Sequence, residues 1–285
     1  MPDSIPCADC KNEIPQPATS CPHCGRPGIF WNVIQANDDG ERAELQSRYS
    51  AVKADALARG TDGPLQNFED AIASSIAVIA RSEVDVHRLA NSSRQLYATY
   101  YQQLDAGVRL PDGDEWDVVR EITDSLLFPK YKEHMRFAAL SLDGIGLSNY
   151  GSCSIALRDD LIAHRASVVE ENSVLFMERH GIKISRNADI PKGFKAIWSE
   201  RDKLCVAKLA RHIDSATTPN KYSSLLLKQG TSPEDDEFVE VHIFGSITVL
   251  TMAKITVTIS HSGPRRTIMK ALKAKLAKHG LSIAE

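Results

Sequence analysis

Cys7 and Cys10 form one C-x-x-C pair and Cys21 and Cys24 form another, the second within Cys21-Pro22-His23-Cys24-Gly25. Two thiolates three positions apart can both point inward from one tight turn. Two such turns supply the four soft ligands that tetrahedral zinc takes in a structural site. Gly25 lets the backbone turn under the metal without a Cβ clash. Four cysteines close the coordination sphere and leave no position for a catalytic water, so the expected Zn2+ folds the segment and does no chemistry. His23 in place of one cysteine is a variant of the same reading. The competing arrangement is two disulfides. Against it, the Met1 end carries neither the basic start nor the apolar run of a secretory signal, and the Pro- and Gly-rich spacing suits a ribbon. Zinc ribbons serve as nucleic-acid readers, partner docks and structural caps alike, so this one names no activity.

A second constellation lies in Asp235-Asp236-Glu237-Phe238-Val239-Glu240-Val241-His242-Ile243-Phe244-Gly245. Period-two alternation puts Phe238, Glu240, His242 and Phe244 on one face of a strand and Val239, Val241 and Ile243 on the other, which reads as the core face. A carboxylate set beside aromatic rings is a candidate for work on a developing positive charge, with a pKa shifted by that setting. An ordinary exposed Glu on a half-buried strand is the plain alternative. Cys153 and Cys205 lack a C-x-x-C partner and read as buried thiols, with a nucleophile as the lesser reading. No G-x-x-x-x-G-K-[ST] loop and no G-x-S-x-G elbow is present. His87, His134, His180, His212 and His261 show no metal-ligand spacing, and Asp143-Gly144-Ile145-Gly146 is a tight turn.

The elements that must position these residues follow from composition and periodicity. With 285 residues, 42% hydrophobic and 25% charged, the chain can hold one sizeable core plus a ribbon, or two modest cores. It carries no apolar stretch of the roughly 18 to 20 residues that a membrane span needs, and reads as cytoplasmic. A net charge of -3 argues against wholesale coating of nucleic acid and leaves room for a local basic patch. The fold class predicted is α+β in three zones: a zinc ribbon over 1–30, a helical region over 31–130 and a mixed α/β region with a sheet core over 131–285. In the helical region a charged helix ends at Arg59-Gly60. Phe68, Ile72, Ile76, Ile79, Val86, Leu89, Leu96, Tyr100 and Leu104 then recur at mostly three- and four-residue steps, one face of a long helix from Leu65 to Leu104. Tyr97, Tyr100 and Tyr101 read as packing between helices. Trp116, Val119, Ile122 and Leu126 mark a further helix that stops at Phe128-Pro129. In the third zone, strands are expected at Arg136–Leu142 and over Cys153, Ile155 and Leu157, with a helix at Phe194–Ile213. Strands over Phe238–Phe244 and Ile247–Ile259 are expected to be sheet neighbours.

From about Arg136 to Val257 the chain resembles the ADP-ribosyltransferase superfamily, particularly its bacterial and phage-borne members. The matching residues are Tyr150-Gly151, His164-Arg165-Ala166-Ser167 leading to Glu171-Asn172-Ser173, and Phe238-Val239-Glu240-Val241-His242. The resemblance covers somewhat under half the chain. It implies that NAD is the substrate and that Glu240, with His242 beside it, steadies the oxocarbenium-like transition state as nicotinamide leaves. It makes Arg165 the candidate for the diphosphate, Ser173 for positioning near the nicotinamide, and Tyr150 part of the NAD site. The acceptor implied is a macromolecule, with RNA and DNA among the candidates. The setting implied is a toxin or antiviral defence effector that an inhibitory protein partner could restrain. Arginine-modifying members carry Glu two residues before the catalytic Glu; here Phe238 stands there, which disfavours arginine as acceptor.

Two rivals come from other segments. Arg158-Asp159-Asp160-Leu161-Ile162-Ala163-His164 has the Arg and later His spacing of the HEPN ribonucleases, helical dimers in which those two residues act on an RNA phosphate. Against it, Arg158 directly follows an alternating strand pattern. From Pro264 to His279 the tail holds Arg265, Arg266, Lys270, Lys273, Lys275 and Lys278 without an acidic residue, and Ile268, Ala271, Leu272 and Leu276 make its apolar stripe. Basic helix and ribbon together could be a binding module for nucleic acid or protein without catalysis, or deliver nucleic acid to the NAD site.

Overall fold

The computed structural model describes residues 3–99, 101–102, 115–182, 190–257 and 264–284. In the ribbon, β1 (Ser4–Pro6) pairs antiparallel with β2 (Glu13–Pro15). Three helices follow, α1 (Trp31–Ala36), α2 (Asp39–Arg59) and α3 (Asp62–Ala73). The Asp38 side chain caps α2 at its start, and Gly60 ends it in the left-handed conformation at φ 69°, as the Arg59-Gly60 pair predicts.

The predicted long helix is instead helix, strand, helix: α3, then β3 (Ile76–Arg81), then α4 (Glu83–Leu89). Ser74 and Ser75 break the pattern, Ile76, Val78 and Ile79 are β-branched, and Ser82 caps α4 by accepting from the Asp85 N–H. A strand buried on both faces is apolar at nearly every position, so Ile72, Ile76 and Ile79 fall at helical steps by coincidence. Tyr100 and Leu104 lie outside the described residues.

Beyond α5 (Glu115–Leu127) come β4 (Met135–Ser141), β5 (Cys153–Leu157), α6 (Asp159–Ile162), β6 (Ala166–Val169), α7 (Ser173–Arg179), β7 (Lys195–Ile197), α8 (Arg201–Leu209) and α9 (Tyr222–Leu226). The chain continues through β8 (Leu227–Lys228), β9 (Glu237–Phe238), β10 (Glu240–Phe244), β11 (Met252–Val257), α10 (Pro264–Ala277) and β12 (Ile283–Ala284). The expected helix at Phe194–Ile213 opens as β7 and becomes α-helical only from Arg201.

One eight-stranded sheet, ordered β12-β11-β5-β3-β4-β10-β6-β7, forms the core, antiparallel except for the parallel β11–β12 pair. The α+β class with a sheet core is therefore as read from sequence. Strand β3 sits inside this sheet, so the segment 31–130 shares the C-terminal core. The expected pairing of β10 with β11 does not occur: β4, β3 and β5 separate them. The short Gly245-Ser246 link misleads because Thr248 caps a 3-10 turn over Val249–Thr251 that carries the chain away from β10.

One sheet face carries Ala77 and Ile79, Ala138 and Leu140, Ile155, Val168, and Val239, Val241 and Ile243 in the main core with residues of α2, α3, α8 and α10. The opposite face carries Phe137, Ala139, Ser167, Glu240, His242 and Phe244, as the register dictates. On α10 the buried stripe is Met269, Leu272 and Leu276, while Ile268 is exposed and Lys270 and Lys273 face outward. No described helix is long and apolar enough to cross a membrane.

Candidate functional site

The four cysteines of the ribbon converge. Their Sγ atoms all lie within 4.8 Å of one another, with Cys7–Cys24 at 3.6 Å and Cys10–Cys21 at 3.5 Å. Zinc–sulfur bonds of about 2.3 Å in a tetrahedron place sulfurs about 3.8 Å apart, so the donor set and its spacing fit Zn2+. His23 is exposed and outside the cluster. The ribbon is packed, not free. Cys7, Cys21, Ile14, Ile29 and Trp31 share one apolar cluster with Phe128, Tyr131, Met135 and Phe244.

That cluster leads to the second face of β10. Glu240 is 2% exposed, yet its carboxylate has three donors: Arg120 Nη2 at 3.1 Å from Oε1, the Ser173 N–H at 2.8 Å from Oε2, and His242 Nε2 at 3.2 Å from Oε2. Burial opposes ionisation, but the Arg120 charge and the bonds from His242 and Ser173 outweigh it and lower the pKa to about 2. Phe128 and Phe137 hold the His242 ring edge-on from two sides, at 4.8 and 5.4 Å between centroids.

Arg120 is fixed from behind. Its Nε lies 3.2 Å from Asp124 Oδ1, its guanidinium sits 4.1 Å over the Phe137 ring, and the Tyr101 hydroxyl donates to Asp124 Oδ2 at 2.8 Å. Burial pushes the Asp124 carboxyl and the Tyr101 phenol upward. Two buried carboxylates thus share one guanidinium. Three side-chain oxygens in this layer accept no hydrogen bond: Ser173 Oγ, Asp124 Oδ1 and Thr123 Oγ1.

Of the residues singled out from sequence, the structure brings together Glu240, His242, Ser173 and Tyr150. Tyr150 packs with Ala139, the residue opposite Glu240, and its phenol is pushed up by burial and by the Glu240 charge. Gly151 makes that placement possible: at φ 144° it passes the Arg81 backbone so closely that a Cβ would lie 2.1 Å from the Arg81 carbonyl carbon. Phe238 is buried beside them. Arg165 is not brought to the site. It precedes Ala166, which pairs with Ile243, whereas Glu240 pairs with Val169, four residues or about 13 Å along the strand. Its Nε donates to Leu161 O at 2.9 Å and its Nη1 to Phe244 O at 2.5 Å, so it closes the far end of the β6–β10 pair.

Arg158 and His164 do not share a helix. Arg158 precedes the four-residue α6 and is paired with Asp160, and His164 sits exposed in the 3-10 turn that follows, its ring against Phe30. Cys153 and Cys205 are buried thiols, their pKa values pushed by burial up to about 11 and about 12.

Compared with models of known protein families and with curated proteins, the chain matches none. The site therefore rests on its own geometry.

Arg120, Asp124 and Tyr101 are the residues that sequence reading missed. The apolar stripe Val119, Ile122, Leu126 reads as the buried side of α5, whereas these three are only half-buried, the fully buried residues are Thr123 and Asp124, and Arg120 reaches the Glu240 carboxylate. A polar stripe faces inward because the layer beneath it, Glu240 and His242, is itself polar. The i,i+4 pair Arg120 and Asp124 was the available signal, and it reads equally as a solvated ion pair.

Proposed function

We propose that the chain is an ADP-ribosyltransferase-like enzyme that uses NAD as substrate and transfers ADP-ribose to a macromolecular acceptor, nucleic acid being the first candidate. The observation that carries this is a buried carboxylate, Glu240, on an interior strand, held by Arg120, His242 and the Ser173 N–H, with the unpartnered Ser173 hydroxyl at its shoulder. In the reaction the C–N bond from the ribose to nicotinamide breaks, and nicotinamide leaves with the electron pair. The acceptor's nucleophilic atom bonds to the ribose carbon and gives up its proton to a base. Glu240 steadies the positive charge that develops on the ribose, and a preorganised, desolvated carboxylate suits that task. Ser173 Oγ offers a hydrogen bond to the ligand, and His242 fixes the carboxylate's orientation. A toxin or defence setting with an inhibitory partner agrees with such chemistry.

The near-complete burial of Glu240 and its three donors favour a second reading, a zinc-ribbon binding module in which the ion pair is structural. Incubation of labelled NAD with the protein and total cellular RNA, DNA and protein separates the two. Label transferred by wild type and not by Glu240→Gln supports the transferase and identifies its acceptor class. No transfer to any acceptor by wild type favours the module.

A further inference from the structure

Glu240 has no room for a substrate as it stands. Its Oε1 faces a cation already, Arg120 Nη2 at 3.1 Å, with the guanidinium stacked on Phe137 and held by Asp124. A ribose losing nicotinamide develops positive charge at the same carboxylate, so substrate and Arg120 compete for one position. Resting on the reading of Glu240 above, we propose that α5 is an intramolecular competitor of NAD: Arg120 fills the seat of the cationic ribose, and NAD binds when α5 withdraws.

Three features suit α5 to this. Over 118–127 its only fully buried side chains, Thr123 and Asp124, are polar, while Val119, Ile122, Leu126 and Leu127 are half-buried, so withdrawal pulls no fully buried apolar side chain of the helix into water. Thr123 Oγ1 has no hydrogen-bond partner in the closed form, and water would satisfy it on opening, which lowers the cost of release. The helix stays tethered at its C-terminal end, because Phe128 and Tyr131 are locked into the ribbon cluster, and Lys130 between them takes a left-handed φ of 68° at which the chain changes direction.

The test compares nicotinamide release by full-length wild type, Arg120→Gln and Arg120→Lys at varied NAD, together with hydrogen exchange over residues 118–127. When a binding-competent form is only fractionally populated, the apparent affinity falls by that fraction, so removing the competitor lowers KM for NAD by about tenfold. Arg120→Lys, which keeps the charge and loses the fork, gives a smaller drop. Saturating NAD accelerates exchange in α5 of wild type. A merely structural Arg120 would lower kcat and stability without lowering KM. Equal KM in the three proteins, or α5 amides still protected in NAD-saturated wild type, overturns the inference and leaves the transferase standing. Neither binding nor turnover of NAD by any of the three ends both. If Arg120→Gln fails to fold, Arg120→Lys and the exchange data decide.

Discussion

Glu240 carries a consequence for acid stability that does not depend on any substrate. Its folded pKa, about 2 against an ordinary 4.5, means that the ionised form is stabilised by folding. That stability is fully present above pH 4.5 and is lost as pH falls towards 2, an effect of roughly 3 kcal/mol. Asp124 works in the opposite sense, since its raised pKa favours the folded state at low pH. The difference between wild type and Glu240→Gln isolates the Glu240 part: denaturant unfolding from pH 6 to pH 2 is expected to show the gap between them closing across that window, and a constant gap refutes the assignment. Ser173→Ala makes a sharper functional probe. Its backbone N–H still serves Glu240, and deleting an unpartnered buried hydroxyl is nearly neutral for folding. We expect stability within about 0.5 kcal/mol of wild type and NAD turnover at least about tenfold lower. Unchanged turnover would remove Ser173 from the site.

The elements are held in place by a few contacts between distant segments, which is where the sequence was least legible. Alternation over 238–244 correctly separates Val239, Val241 and Ile243 from Glu240 and His242, and Gly60 and Phe128-Pro129 correctly end their helices, because each is a local property of the chain. Burial of Glu240, the insertion of β3 between β5 and β4, and the rotation of α5 are tertiary facts with no local signature. Asn32 on α1 is such a case. Its amide donates to Arg165 O, Ser167 Oγ and His242 O at 3.0 to 3.1 Å, joining the ribbon side to β6 and β10. Asn32→Ala removes these three contacts from a buried layer and is expected to cost about 1–3 kcal/mol, measured by chemical denaturation. A cost near zero would show that the clamp is dispensable. Gly151→Ala is expected to be more damaging, since its Cβ meets backbone that cannot yield.

The ribbon packs against the segment after α5 and against the sheet, which links the four-cysteine cluster to the Glu240 strand. Cys7 and Cys21 pack in the same cluster as Phe128 and Phe244, the first following α5 and the second ending the Glu240 strand. Cysteine spacing made a four-thiol site able to hold a metal ion legible from four residues alone, but nothing in that spacing says what the ribbon rests on. Chelation of the metal is therefore expected to lower the melting temperature of the whole chain by more than about 5 °C in one cooperative transition. A separate low-temperature transition with the main one unmoved would make the ribbon an independent unit. The claim on which the functional account turns is that Glu240 acts on NAD. The most direct measurement is nicotinamide released over time from NAD by metal-replete wild type and by Glu240→Gln of verified fold. We expect release by wild type with a loss of at least about a hundredfold in the variant. Equal release by both proteins, or none by wild type and by Arg120→Gln alike, contradicts it.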